Sequence, residues 1–143
     1  MSSPDFEALA RVHAQTFDTP PPWSARDFAE MLASERVFLV APAPMAFALG
    51  RVVVDEAELL TLAVAPDAQG RGFGRAAFLA YESEAMARGA TRSFLDVAQT
   101  NTRALALYRS AGYDESGRRR AYYRTRDGSG VDAIIMTKLL KQA

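Results

Sequence analysis

Gln69-Gly70-Arg71-Gly72-Phe73-Gly74 is the segment of this chain whose residue types and spacing most directly imply chemistry. It stands between the apolar run Leu59-Leu60-Thr61-Leu62-Ala63-Val64-Ala65, closed by Pro66-Asp67, and a stretch where Ala76, Ala77, Phe78, Leu79, Tyr81, Ala85 and Met86 recur at helical spacing. A glycine turn that opens a helix presents backbone N–H groups lacking an intrahelical acceptor, at the positive end of the helix dipole. With no Cβ in the way, phosphate oxygens can approach those N–H groups closely. The chemistry implied is capture of a phosphorylated ligand. A nucleoside-triphosphate loop is excluded, because Arg75-Ala76 follows Gly74 where a Lys-Ser or Lys-Thr pair is required. A dinucleotide fold fits poorly, since a single strand–turn–helix unit is present and antiparallel strands precede it. Taken alone, the glycines also suit a turn that only packs helix on sheet.

The other reactive side chains narrow the chemistry by exclusion. There is no cysteine, which removes disulfides, thiol nucleophiles and zinc–thiolate sites. One histidine and no cysteine give no basis for a transition-metal site, so no metal is expected. That histidine, His13, falls on an N-terminal helix and reads as packed or surface rather than catalytic. Arg118-Arg119-Arg120, with Arg124 and Arg126, are split between strand faces and read as a solvated edge. Seventeen basic and seventeen acidic residues cancel, so neither nucleic acid nor a membrane is an expected partner. No apolar run is long enough to span a bilayer and no signal-peptide pattern is present, from which a cytoplasmic location is expected. With 143 residues, 49 % apolar and 24 % charged, the expectation is one domain, 1–143, around one core.

The elements that must position the glycine turn follow from periodicity and caps. Phe6, Leu9, Ala10, His13 and Phe17 share a helical face, with Ser3 or Asp5 as cap, and Thr19-Pro20-Pro21-Pro22 breaks that helix. Ser24 reads as an N-cap with Asp27 at N3, and Phe28, Met31 and Leu32 facing inward. Val37–Ala41 is a predicted strand, Pro42-Ala43-Pro44 a turn, and Met45–Val54 a strand. Asp55-Glu56 turns the chain into the strand Leu59–Ala65, completing a meander joined by short connections. A helix is predicted from Gly72 to Arg88 with Gly89 at C′, then a strand Ser93–Val97. Asn101 starts a helix containing Ala104, Leu105, Leu107 and Tyr108, which Gly112 ends. Tyr113–Tyr123 is extended, Arg126-Asp127-Gly128-Ser129-Gly130 a hairpin turn, and Val131–Leu139 the last strand. The strand–turn–helix–strand unit implies a local parallel pair with a right-handed crossover inside a mixed sheet. The fold class is α/β or α+β.

In this context Gln69-x-x-Gly72-x-Gly74 resembles the acyl-CoA pyrophosphate loop of the GCN5-related N-acetyltransferases. Leu95-Asp96-Val97, Asn101, Ala104-Leu105-Ala106-Leu107-Tyr108 and Ala111-Gly112-Tyr113 resemble the second half of that fold. Pro22-Trp23-Ser24, Arg119-Arg120-Ala121-Tyr122-Tyr123 and Asp132-Ala133-Ile134-Ile135-Met136 resemble its ribosomal-protein-alanine acetyltransferase branch (the RimI group). The resemblance implies a mixed, mostly antiparallel sheet splayed at a central parallel pair and flanked by four helices. Acetyl-CoA would lie in the gap as acetyl donor, its pantetheine arm along Leu62, Ala63 and Val64. An amide-rich arm can pair with an open strand edge as another strand would. Its pyrophosphate would sit on the N–H groups from Arg71 to Arg75, with Gln69, Gly70, Gly72, Phe73 and Gly74 of the loop as cofactor contacts and Arg71 and Arg75 as charge partners or as solvated surface charges.

The same resemblance gives Tyr108 as the acid that protonates the leaving thiolate, and Asn101 as helix cap and CoA contact. A backbone N–H near Val64 would stabilise the oxyanion. It gives Asp96 as the base, where the branch carries Glu; Glu56, Glu58 and a bridging water are the alternatives. The branch's Asn before the paired tyrosines is Ala121 here. Trp23 either lines an acceptor groove or staples the second helix. The implied reaction is direct acetyl transfer, in a ternary complex, to a protein N-terminal α-amine, specifically the N-terminal alanine of a small-subunit ribosomal protein. The implied partner is thus an acceptor protein or peptide, with the enzyme a monomer or weak dimer. The alternatives are a lysine or small-molecule amine as acceptor, or a non-catalytic acyl-CoA-binding module.

Overall fold

Local caps set the first boundaries. In the computed structural model, which describes residues 5–16, 22–43, 45–125 and 127–140, Asp5 Oδ1 accepts from the Ala8 N–H at 3.1 Å and opens α1 (Phe6–Thr16). The expectations for Ser3, Phe17, Thr19-Pro20-Pro21, Pro44 and Arg126 fall outside the described residues. Ser24 and Asp27 form a reciprocal capping box at α2 (Ala25–Leu32), each side chain accepting from the other's backbone N–H. The chain then runs through β1 (Val37–Ala43), β2 (Ala46–Val53), β3 (Glu56–Val64), a 3-10 turn at Pro66–Ala68 and α3 (Phe73–Ala87). It continues through β4 (Arg92–Ala98), α4 (Thr102–Ser110), β5 (Asp114–Arg124) and β6 (Gly130–Leu139).

The strands form one sheet in the order β1-β2-β3-β4-β6-β5. Only β3 and β4 pair parallel, and their pairing stops early: Glu56, Ala57 and Glu58 face Arg92, Ser93 and Phe94, and beyond them the strands diverge. The other neighbours pair antiparallel. The mixed α/β architecture, the four α-helices and the splay are as expected. Two strand boundaries differ. β1 runs on to Ala43, so Pro42 and Ala43, expected in a turn, extend the edge strand past a register break between Val40 and Ala43. β3 begins at Glu56 rather than Leu59, because Val54-Asp55 makes the turn and Ala57, fully buried, already alternates into the core. Val54 reaches φ 59 there, the left-handed region that a β-branched residue rarely adopts.

A bulge in β3 decides which side chains face which helices. Gly50 pairs with Leu59 but its neighbour Leu49 pairs with Thr61, so Leu60 is the extra residue. Before the bulge, Ala57 and Leu59 join the main core with α3 and α4. After it the parity inverts: Leu62 and Val64 pack on that core, while Ala63 enters a second one with Phe28 of α2 and Phe47 of β2. The helices thus cover opposite faces, α1 and α2 on one and α3 and α4 on the other. Gly50 is required where α3 crosses β2. A Cβ there would lie 2.5 Å from the Phe38 ring and 2.6 Å from the Tyr81 ring, which stack at 5.9 Å.

The closed half of the sheet is tied by buried polar groups. Ser93 Oγ lies 2.8 Å from the Tyr81 hydroxyl and 2.6 Å from that of Tyr113. Tyr113 also donates to Glu82, at 3.1 Å, and Lys138 Nζ completes the pairing of that buried carboxylate at 3.1 Å. Paired in this way, the carboxylate avoids the cost of an isolated buried charge.

Candidate active site

Where β3 and β4 part, the sheet opens into a cavity of about 660 Å³. Its lining comes from both faces. Leu62, Val64, Val97, Leu107 and Tyr108 contribute from the α3/α4 side, and His13, Trp23 and Thr61 from the α1/α2 side. Asp96 belongs to the second group by alternation: Leu95 and Val97 point into the main core, so the residue between them projects from the other face. The cavity therefore passes through the sheet, and Asp96 and Tyr108 line it from opposite sides.

At one end lies the glycine turn. Gly70 and Gly72 adopt φ 77 and 83, and Gly72 is the N-cap of α3, so only residues free of a Cβ penalty make this turn cheaply. Gln69, Gly70, Gly72, Gly74 and Arg75 line the cavity there, and Asn101 lines it while capping α4 through its side-chain oxygen to the Ala104 N–H at 3.1 Å. Gln69 Nε2 donates to the Val64 carbonyl at 3.2 Å. Three expected contact residues lie off the lining. The bulge turns the Ala63 side chain into the second core; Arg71 stacks over Phe73, 5.0 Å from its ring centre, and Phe73 packs on the main core.

Between the two faces, burial pushes the Tyr108 phenol well above its ordinary pKa, with nearby Tyr123 adding to the effect. Tyr108 is 6 % exposed and lines the cavity, which puts its phenol within reach of a ligand there. Tyr123 also lines the cavity; burial first, and then the Asp96 carboxylate, push its pKa up to about 12. Asp96 lies 3.8 Å from the Arg119 guanidinium across the sheet. Glu56 and Glu58 line a separate cavity at the closed end, where Glu58 pairs with Arg51 at 2.6 Å.

His13 is packed, as expected, but it also lines the cavity on the α1/α2 side. It is 1 % exposed, and its Nδ1 accepts from the Trp23 N–H at 2.9 Å, which leaves the proton on Nε2, 2.8 Å from Thr61 Oγ1. Burial lowers its pKa to about 4. Trp23 lines the cavity and packs 5.1 Å from Phe28 of α2, the contact of a staple. Tyr123 and Arg103 were not singled out from the sequence. The available signal for Arg103 was its sign: a cation in a helix's first turn opposes the dipole, and α4 has no acid there. Tyr123 gave a weaker one, as one of two adjacent tyrosines in a strand.

A splayed parallel pair, a glycine turn at its mouth and a through-sheet cavity are features of a known family, whose sequence model, acetyltransferase (GNAT), matches residues 6–113. The chain belongs to the GNAT family. It is 44 % identical over 119 residues to the [ribosomal protein bS18]-alanine N-acetyltransferase of Escherichia coli K12, covering 80 % of this chain and 79 % of that protein. It is 38 % identical over 142 residues to the N-alpha-acetyltransferase RimI of Mycobacterium tuberculosis, covering 94 % and 86 %. The crystal structure of the Escherichia coli ribosomal-protein-S18-alanine N-acetyltransferase superposes with a TM-score of 0.85 over 100 % of this chain and 92 % of that one, at 36 % identity. Arabidopsis thaliana NAA60, solved in complex with acetyl-CoA, shares the fold with a TM-score of 0.81, covering 95 % and 93 %, at 16 % identity. As a GNAT protein the chain is an acetyl-CoA-dependent acetyltransferase.

Proposed function

We propose that the chain acetylates a protein N-terminal α-amine, the acceptor being the N-terminal alanine of a small-subunit ribosomal protein, by direct attack within a ternary complex. The observation that carries this reading is the cavity through the sheet. It offers a phosphate-compatible turn at one end, and Tyr108 and Asp96 on either side of its middle. Two substrates entering from opposite faces would meet there. The likeness to the two N-terminal acetyltransferases supports the choice of acceptor.

In the proposed reaction acetyl-CoA lies along Leu62 and Val64 with its pyrophosphate on the glycine turn. The acceptor amine enters past Trp23 and Tyr123. An α-amine with a pKa near ~8 is about one-tenth neutral at pH 7, far more than a lysine amine of pKa ~10.4, so the base has modest work and can act through water. The amine nitrogen attacks the thioester carbonyl, forming the C–N bond. Collapse breaks the C–S bond, with the surplus amine proton passing to Asp96, directly or through water. Tyr108, kept protonated by burial, gives its proton to the departing thiolate and recovers one from solvent.

CoA release with mass spectrometry of the product tests this on Ala-, Ser- and Met-initiated peptides beside an N-terminally blocked, lysine-containing peptide. Acetylation of the Ala-initiated α-amine is expected. Turnover on the blocked peptide alone would move the acceptor to lysine. Tight acetyl-CoA binding without turnover on any peptide would leave a small-molecule acceptor or a binding module.

A further inference from the structure

The mouth of the cavity carries two guanidiniums, one on each helix that flanks it. Arg75 of α3 donates to Ser110 Oγ of α4 at 2.8 Å, and Arg103 of α4 reaches back to donate to Gln69 Oε1 in the loop before α3. Both line the cavity, and among the described residues neither has a carboxylate partner. Arg51, Arg88 and Arg118 pair with Glu58, Glu84 and Asp132, whereas Arg36, Arg92 and Arg109, also without a carboxylate partner among the described residues, lie off this cavity. The acid on the cavity wall, Asp96, is held by Arg119. The cavity is thus cationic at the glycine turn and anionic past the splay.

Arg103 differs from Arg75 in what holds it. Its neutral partner, Gln69, is itself anchored through Nε2 to the Val64 carbonyl, so Gln69 stays in place if Arg103 leaves. A hydrogen bond between a guanidinium and a neutral amide is weaker than one to an anion, and Arg matches phosphate with two parallel donors. A phosphate arriving on the turn would therefore outcompete Gln69 for Arg103 at no cost in buried charge.

We propose that Arg103 is a phosphate-binding side chain of this enzyme, held by Gln69 and exchanged onto a phosphate of the acyl-CoA when it binds. This rests on the acyl-CoA reading of the cavity. The exchange pins α4 to the donor's nucleotide part and favours intact CoA thioesters over shorter thiol esters.

The test is calorimetric binding of acetyl-CoA, acetyl-dephospho-CoA and acetyl-pantetheine to the wild type, Arg103→Gln and Arg109→Gln. Arg109 is exposed on the same helix and off the cavity lining, so its substitution makes the same change in net charge. Expected is about a tenfold rise in Kd for acetyl-CoA in Arg103→Gln only, with acetyl-pantetheine binding unchanged. If acetyl-dephospho-CoA loses as much, the phosphate is the diphosphate; if it loses nothing, it is the 3′-phosphate. An unchanged acetyl-CoA Kd, an equal loss for acetyl-pantetheine, or an equal loss in Arg109→Gln would overturn the proposal. Wild-type protein that fails to bind acetyl-CoA would instead overturn the acyl-CoA reading beneath it.

Discussion

At the scale of single residues, the roles proposed for Tyr108 and Asp96 separate by measurement. Tyr108→Phe keeps the buried ring and removes only the hydroxyl, so kcat is expected to fall by on the order of 10²-fold while the acetyl-CoA Kd stays put. Unchanged kcat would remove Tyr108 as the acid. Asp96→Asn should slow turnover comparably, whereas Asp96→Glu, which restores the methylene found in the related branch, should keep it. Equal loss in both Asp96 variants would point to a structural ion pair with Arg119 instead. Asn101 was legible as a helix start, and Tyr108 through the family resemblance, whose motif runs along that one helix. Tyr123 and Arg103 were not, because each gains its place from a neighbour distant in sequence: Tyr123 beside Asp96, Arg103 beside Gln69.

At the scale of elements, caps and turns were legible and strand parity was not. The Ser24–Asp27 box and the Asn101 cap depend on residues three apart, so local chemistry determines them. The Leu60 bulge depends on how β2 lies against β3. It alone decides that Ala63 faces α2 rather than the cleft, which no alternation within β3 could reveal. Two substitutions probe this part of the sheet. Val54 is 87 % exposed and buries almost nothing at its positive φ, so Val54→Asn should stabilise by about 1 kcal/mol, raising Tm by about 3 °C. Gly50→Ala should cost about 1–3 kcal/mol, since the new methyl overlaps two stacked rings, and chemical denaturation would register the loss. A neutral Gly50→Ala would mean that α3 shifts freely on the sheet.

At the scale of the whole molecule, His13 couples the α1/α2 face to pH. Its folded pKa of about 4 lies below the ordinary 6.5, so between those values the unfolded chain binds a proton that the folded one does not. The associated stability is fully present above pH 6.5 and is lost as pH falls toward 4, a change of about 3 kcal/mol. His13→Gln should be less stable at pH 7 yet lose less on acidification to pH 4.5 in urea unfolding. Protonation would also turn Nδ1 from acceptor to donor and expel the Trp23 N–H, so the Trp23 fluorescence change should track the same titration. The ladder between β3 and β4 has a different consequence. Among the described residues Glu56–Glu58 and Arg92–Phe94 are the paired strand positions between the β1–β3 half of the sheet and the β4–β6 half, backed on one face by α3 and the main core. The halves are two leaves on a short spine, each with its own intact register. Substitutions along the free margin can widen or narrow the gape without disturbing either leaf, so acceptor choice can drift while the donor's grip at the mouth is kept.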